Sequence, residues 1–375
     1  MSARRIREQD DDRELEDRSM SAATIGVGLL GAGPAVQAIH LPVLARLSDR
    51  FRVVHVMDVS EDVAEAVAAR VGAAWSTKLE DLLMDPAVEV VAICSPSAFH
   101  AVQVIAAMRA GKRAILCEKP FATTRAEAEE IAAVSAETRV PVIVGAMHTF
   151  DPAWMQVRRV WGDLPDTAHT IRSSIVLPPN HRYEDWATEV VHRPQPSESG
   201  PVTSETLGAL MSNGVLGLAI HDIPLIRTFL GPEPVNVTSA TALRPNGYCI
   251  TVANGDRIVE LIGTFHLEWK PRWELDVTAD GQALHLEFTP SYVQAGSGVA
   301  RLHQADGSTR IFGPAEHNGY EGEWLAMYAL LGGDESLSPD LQNLIDDLDL
   351  AITIAHQAAQ LVMAGHAGST DGEDE

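Results

Sequence analysis

Residues 24–46 read TIGVGLLGAGPAVQAIHLPVLAR, and the fold turns on how this stretch is read. Thr24–Leu30 is an apolar, β-prone run, Gly31-Ala32-Gly33-Pro34-Ala35-Val36 follows it directly, and Ala35–Arg46 has a helical pattern. In a strand, glycine turn and helix of this kind, two glycines permit the tight bend. They also let backbone N–H groups reach a pyrophosphate, with the helix dipole adding to the attraction. Gly31, Gly33, Pro34 and Ala35 are therefore candidate dinucleotide-binding residues. The motif is incomplete, because Val36 stands where a third glycine lets the helix pack on the sheet, and glycine-rich turns without a ligand are common.

The surrounding sequence repeats this alternation. Strand candidates Arg52–Met57, Val88–Ile93, Ala114–Cys117 and Pro141–Val144 are separated by helix candidates Glu61–Val71, His100–Ala110 and Arg125–Thr138. Near-continuous apolar strands between helices mean a parallel sheet covered on both faces. After Phe150 the texture changes: a strand at Ala168–Leu177, a long irregular stretch Pro178–Thr206, and a helical run near Val215–Leu230. Seven short strand-like segments follow between Val235 and Phe312, with Asn254-Gly255, Asp280-Gly281 and Asp306-Gly307 as hairpin turn pairs. A helix at Ser338–Ala364, capped by Ser338 with Pro339 at its first position, closes the chain. The expected fold is α/β: an N-terminal Rossmann doubly wound parallel sheet over 21–147, then a C-terminal α+β domain with a large, mostly antiparallel sheet over 148–368. Residues 1–20 and 369–375 read as charged, solvated tails, the second of them acidic.

The 375 residues are 46% hydrophobic and carry 28 Lys+Arg against 52 Asp+Glu, a net charge of −24. Such an excess of acid repels phosphate backbones and anionic lipid, so no nucleic-acid or membrane partner is expected. Ala22–Ala45 lacks Asp, Glu, Lys and Arg, but its glycines and prolines break it up, so no membrane span is expected there. Three cysteines without a CxxC give neither a disulfide framework nor a zinc spacing, which points to a cytoplasmic location. The 14 histidines show no HExxH-type pair, and no metal is implied.

Asp58 ends the second strand, 25 residues after Gly33, where a carboxylate accepts hydrogen bonds from a ribose diol. No arginine follows in Val59-Ser60-Glu61 to welcome a 2′-phosphate, which favours NAD over NADP; the plainer alternative for Asp58 is a helix N-cap.

Cys94-Ser95-Pro96-Ser97-Ala98-Phe99-His100 and Ala110-Gly111-Lys112, followed by Glu118-Lys119-Pro120 at a strand end, carry more information. With the glycine turn, His40-Leu41-Pro42, Phe150-Asp151-Pro152-Ala153 and the stretch from His221 to Gly231, they resemble the Gfo/Idh/MocA family of NAD(P)-dependent oxidoreductases, which act mostly on sugars and cyclitols. The resemblance implies hydride transfer between a nicotinamide cofactor and a hydroxyl or keto carbon of a sugar, cyclitol or related polyhydroxylated metabolite. It implies Lys119 and His221 as catalytic residues, and adds Ser95, Pro96, His100, Glu118 and Lys119 to the cofactor site. It also implies a homodimer or homotetramer that covers the exposed face of the second sheet.

Lys119 stands at a strand's carboxyl end, where open α/β sheets bind ligands, and a partly desolvated lysine can exchange a proton with an alcohol. Alternation along an extended segment suggests that Glu118 and Lys119 serve different groups; a surface lysine before a turn proline is the alternative reading. Family members usually carry an aspartate four residues before the histidine and another acid three residues after it; this chain has Gly217 and Pro224. Asp222 points about 100° away on a helix and is a poor substitute. Compensating substrate residues are sought in His148 and in His181, Trp186, His192 and Arg193 of the long segment, where Arg182, Tyr183 and Asp185 also lie. The missing acids leave open a non-catalytic NAD(P)-binding regulatory protein of the same fold, and an NAD-dependent glycosidase is a third alternative.

Overall fold

The computed structural model describes residues 24–193, 203–243, 247–265, 271–290, 292 and 296–370. The expected tail at 1–20 lies outside them, as do 371–375 of the acidic end, while Ser369 and Thr370 close the last helix.

Six strands form the first sheet: β1 (Ile25–Leu30), β2 (Phe51–Met57), β3 (Ala74–Ser76), β4 (Val90–Ile93), β5 (Ala114–Glu118) and β6 (Val142–Gly145). All pair in parallel, in the order β3-β2-β1-β4-β5-β6, with helices on both faces. The order reverses between β1 and β4, and ligands of such sheets bind in the crevice at that switch point. Strand β3 and the following helix Leu79–Met84 carry too short an apolar pattern to read from the sequence. Gly26 of β1 is a close-approach glycine, because a Cβ there would lie 1.9 Å from the Ala87 carbonyl oxygen. Gly26→Ala is expected to cost about 2–3 kcal/mol through forced backbone displacement, measured by urea unfolding against the native chain.

The second sheet comprises β7 (Ala168–Leu177), β8 (Val235–Leu243), β9 (Gly247–Asn254), β10 (Arg257–Phe265), β11 (Arg272–Ala279), β12 (Gln282–Glu287), β13 (Val299–His303) and β14 (Thr309–Phe312). Its order is β14-β13-β12-β11-β7-β10-β9-β8, antiparallel except where β7 and β10 run parallel. Side chains alternate across it. Ile250, Val252, Val259, Leu261, Leu275 and Val277 are buried, whereas the opposite face carries ion pairs such as Arg172–Glu260 and His285–Asp276.

Asp280-Gly281 forms the two-residue turn between β11 and β12, and Asp306-Gly307 lies between β13 and β14. The turn at Asn254 is displaced by one residue: Asn254 pairs with Arg257, leaving Gly255-Asp256 as the loop. The Asn254 side chain is buried instead, accepting from Gly231 N–H and donating to the Glu233 carbonyl.

Several helices differ from expectation. The helix after the glycine turn opens as a π-helical turn, Val36–His40, before Leu41–Arg46. The stretch 178–206 contains a helix at His181–Ala187, although 194–202 lie outside the described residues. The run expected near 215–230 is broken into helix Ser204–Gly217, a 3-10 turn Ala219–His221 and helix Ile223–Arg227. Thr203 and Thr206 form the capping box that starts the first of these, and Pro224 is tolerated at the start of the last. Helix Gly319–Leu331 went unread because its apolar residues are not gathered on one face and so give no amphipathic pattern. The closing helix is Leu341–Thr370, with the Asp340 carboxylate, not Ser338, accepting from the Gln342 N–H.

These last two helices join the sheets. Trp324 packs edge-on to Phe51 at 5.2 Å, and Arg125 of helix Arg125–Thr138 pairs with Asp349 at 3.0 Å.

Candidate active site

The glycine turn lies at the switch point. Gly31 has φ +81°, and a Cβ on it would meet Cys94 and Ser95 backbone atoms at 2.8–2.9 Å, so this position takes glycine only. Gly33 faces open space, with nothing within 4 Å of an added Cβ. Val36, at the missing third glycine, is fully buried in the core. The Asp58 carboxylate accepts from Ala32 N–H at 2.8 Å and from Ser60 N–H at 2.9 Å, tying the end of β2 to the turn. Ser60 occupies the helix N-cap position, without a side-chain bond.

Below the turn, a cavity of about 500 Å³ runs from Ala35 past Ser95 and His100 to Glu118, Lys119 and Thr123. His100 is buried, its ring nitrogens facing the Pro120 and Ser95 carbonyl oxygens at 2.8 and 2.7 Å. It holds the β4 and β5 loops together. Gly33's open space and this cavity fit a dinucleotide lying across the turn.

A second cavity of about 420 Å³ lies toward the other sheet, and the two share Ala35, Glu118, Lys119, Asn213 and Gly217. Glu118 and Lys119 thus line both cavities. The expected alternation does not apply, because β5 ends at Glu118 and Lys119 N–H folds back toward its carboxylate at 3.2 Å. The Glu118 carboxylate also accepts from His40 Nε2–H at 3.1 Å, while His40 Nδ1 accepts from Trp324 Nε1 at 3.3 Å. Burial alone would raise the Glu118 pKa, but the hydrogen bond from His40, the Lys119 charge and the Lys119 N–H together hold it below the usual carboxylate range. Behind it, Glu323 is fully buried with neither oxygen partnered among the described residues, and burial plus the Glu118 charge push its pKa well up.

Lys119 Nζ donates to the Gly217 carbonyl at 2.6 Å. That carbonyl ends helix Ser204–Gly217, where the helix dipole is negative. Burial lowers the Lys119 pKa, and Glu118 pulls it only partly back. His221, on the 3-10 turn after the same helix, lines the second cavity with Lys119. Burial first, then the Lys119 and His148 charges, lower its pKa well below the usual value.

Asp222 has no exposed surface and does not face the cavity. Its carboxylate accepts from Ser173 Oγ at 2.6 Å, His148 Nδ1 at 2.7 Å and Trp273 Nε1 at 2.9 Å. His148 stacks on Phe288 at 3.8 Å and lies behind His221, with ring centroids 6.2 Å apart, rather than in the cavity wall.

His181, Trp186, His192 and Arg193 line neither cavity. Trp186 is 62% exposed, and Arg193 pairs with Glu184 and Asp185. Their segment contributes Asn180 instead, and it is docked on the glycine-turn helix by the buried Gln37 amide, which bonds both backbone groups of Val191. Leu210, Asn213, Gly214 and Gly217 also line the second cavity, on one helix face. Their i, i+3, i+4, i+7 spacing was the available signal. Tyr248, Tyr292 and Tyr320 carried no local signal, since they converge from separate elements.

Among the described residues no group of three or more His, Cys, Asp or Glu could hold a metal ion, and no helix is long and apolar enough to cross a membrane.

A parallel doubly wound sheet backed onto an open, mostly antiparallel sheet, with a cleft at their seam, defines a class of two-sheet α/β proteins. Residues 25–146 match the model of the oxidoreductase family with an NAD-binding Rossmann fold, Gfo/Idh/MocA. The chain is 28% identical to an inositol 2-dehydrogenase of Rhizobium meliloti over 59% of each chain. It is 26% identical to a 1,5-anhydro-D-fructose reductase of Ensifer adhaerens over 82% of this chain and 89% of the other. The match to the inositol dehydrogenase thus spans about three-fifths of that relative's length. In fold it is similar to the UDP-N-acetylglucosamine 3-dehydrogenase of Acidithiobacillus ferrooxidans, with TM-score 0.68, 16% identity, and 90% and 99% of the two chains covered. A 3-ketoreductase of Actinomadura kijaniata, solved with NADP and TDP-benzene, gives TM-score 0.65 and 19% identity, covering 88% and 97%.

Proposed function

We propose that the chain is a nicotinamide-dependent oxidoreductase acting on a hydroxyl or keto carbon of a sugar, cyclitol or related polyhydroxylated metabolite. The observation that carries this reading is the meeting of the two cavities at Lys119. Gly31, Gly33, Pro34, Ala35, Ser95, Pro96 and Glu118 would hold the dinucleotide, and a bound nicotinamide supplies the partner for hydride exchange with the substrate carbon. Lys119, with its lowered pKa, exchanges the proton of the substrate oxygen, while Asn180 and Asn213 offer amides to further hydroxyls. In this reading 21–147 is the dinucleotide domain, 148–368 binds substrate, and the outer face of the second sheet seats a second copy in a cytoplasmic homodimer or homotetramer.

NAD is the proposed cofactor, because a 2′-phosphate at the end of β2 would meet the Asp58 carboxylate. Calorimetry should give NAD at least about a tenfold tighter dissociation constant than NADP, or roughly 1.4 kcal/mol; equal or reversed affinities would overturn that choice. Turnover of NAD(H) with a panel of polyols and ketoses tests the activity itself. Nucleotide binding without turnover on any of them favours the regulatory reading, and cleavage of a glycoside without net redox change favours the glycosidase.

A further inference from the structure

His221 Nδ1 is buried and has no hydrogen-bond partner among the described residues. Asp222, the adjacent acid, is engaged by Ser173, His148 and Trp273 on the far side of the turn. One helical turn before His221, Gly217 presents no side chain, and its carbonyl accepts Lys119. Among the described residues no carboxylate therefore stands behind this imidazole to stabilise a second ring proton.

A buried N–H with no acceptor is rarer and more costly than a buried lone pair with no donor. Nδ1 thus keeps its lone pair, and the ring's one proton sits on Nε2, the nitrogen left to face the cavity. The groups facing the ring agree. Lys119 comes from the end of β5, His148 from the turn after β6, and Asp222 from the histidine's own turn; the first two oppose a positive charge on it.

We infer that His221 serves the site as a hydrogen-bond donor through Nε2–H, and that the proton exchanged with the substrate oxygen moves on and off Lys119 alone. This rests on the oxidoreductase reading. In the oxidising direction the substrate O–H bond breaks and an N–H bond forms on the neutral Lys119 amine, giving the ammonium. The C–H electron pair leaves as hydride to the nicotinamide, and the carbon becomes a carbonyl. Reduction reverses each transfer. His221 neither gains nor loses a proton; it aligns the oxygen and polarises the carbonyl.

Long-range proton–nitrogen spectra of the full chain labelled with 15N-histidine, without added nucleotide, test this directly, with His221→Gln used to assign the signal. The expected pattern is a neutral ring protonated at Nε2, unchanged from about pH 6 to 9, a range in which an unperturbed histidine begins to charge. A proton on Nδ1, or titration of His221 within that range, would overturn the inference. In turnover, His221→Gln, whose amide also donates, should stay within about tenfold of the native rate and keep the same pH limb. His221→Ala should lose about 100-fold. Equal losses in the two variants with a displaced limb would also refute the assignment. If no polyol is turned over, the oxidoreductase reading fails, and the spectra still decide the tautomer.

Discussion

Lys119→Ala is expected to lower kcat by about 10²–10⁴-fold, the usual weight of a positioned acid–base group. NAD affinity should change by no more than about threefold, roughly 0.6 kcal/mol, because the glycine turn and the Asp58 tie do not depend on the ammonium. The native enzyme's oxidation rate should rise with pH. The amine must be neutral to accept a proton, and burial lowers its pKa, so the limb lies below the ordinary lysine range. That limb should vanish in Lys119→Ala. Lys119→Arg can still donate to the Gly217 carbonyl, yet a guanidinium does not release its proton at working pH, so it should be nearly as poor. Steady-state kinetics with calorimetric NAD binding checks each of these, and native-like turnover in Lys119→Ala would refute the role given to this residue.

Asp222→Ala should be the most damaging single change to stability near the site. It strands the Ser173 hydroxyl, the Trp273 indole N–H and the His148 ring in a region without water access, each having lost its carboxylate partner. Removing one partner of such a buried set costs about 3–5 kcal/mol, which corresponds to a fall in Tm on the order of 5–10 °C. Asp222→Asn keeps one acceptor oxygen and should lose roughly half as much. Thermal and urea unfolding measure this; an alanine variant as stable as the native chain would mean that the three donors find other partners.

Much of the architecture was legible because it is written in short-range pattern. Apolar strands such as Val90–Ile93 and Ala114–Glu118 alternate with amphipathic helices, and the glycine turn follows β1 directly. The turn pairs divided the second sheet into its strands, with one of the three displaced because Asn254 finds buried partners at Gly231 and Glu233. Elements without a pattern were missed: three-residue β3, and helix Gly319–Leu331, whose apolar residues are spread around its axis. In the site, Lys119 was readable from its motif and strand end. Asn180, Asn213 and the three tyrosines were not, since they reach the cavity from elements far apart in the chain.

The sequence by itself determined the parallel sheet, the place of the dinucleotide turn, and Lys119 and His221 as candidates, because periodicity, glycine and motif order are local properties of the chain. Only the tertiary structure decided how the missing acid is handled. Lys119 meets a backbone carbonyl that belongs to no motif, and Asp222 turns to three donors on two other strands and a loop. Such partners are chosen by packing across 49 to 98 residues of chain, where side-chain pattern carries no record of distance or direction.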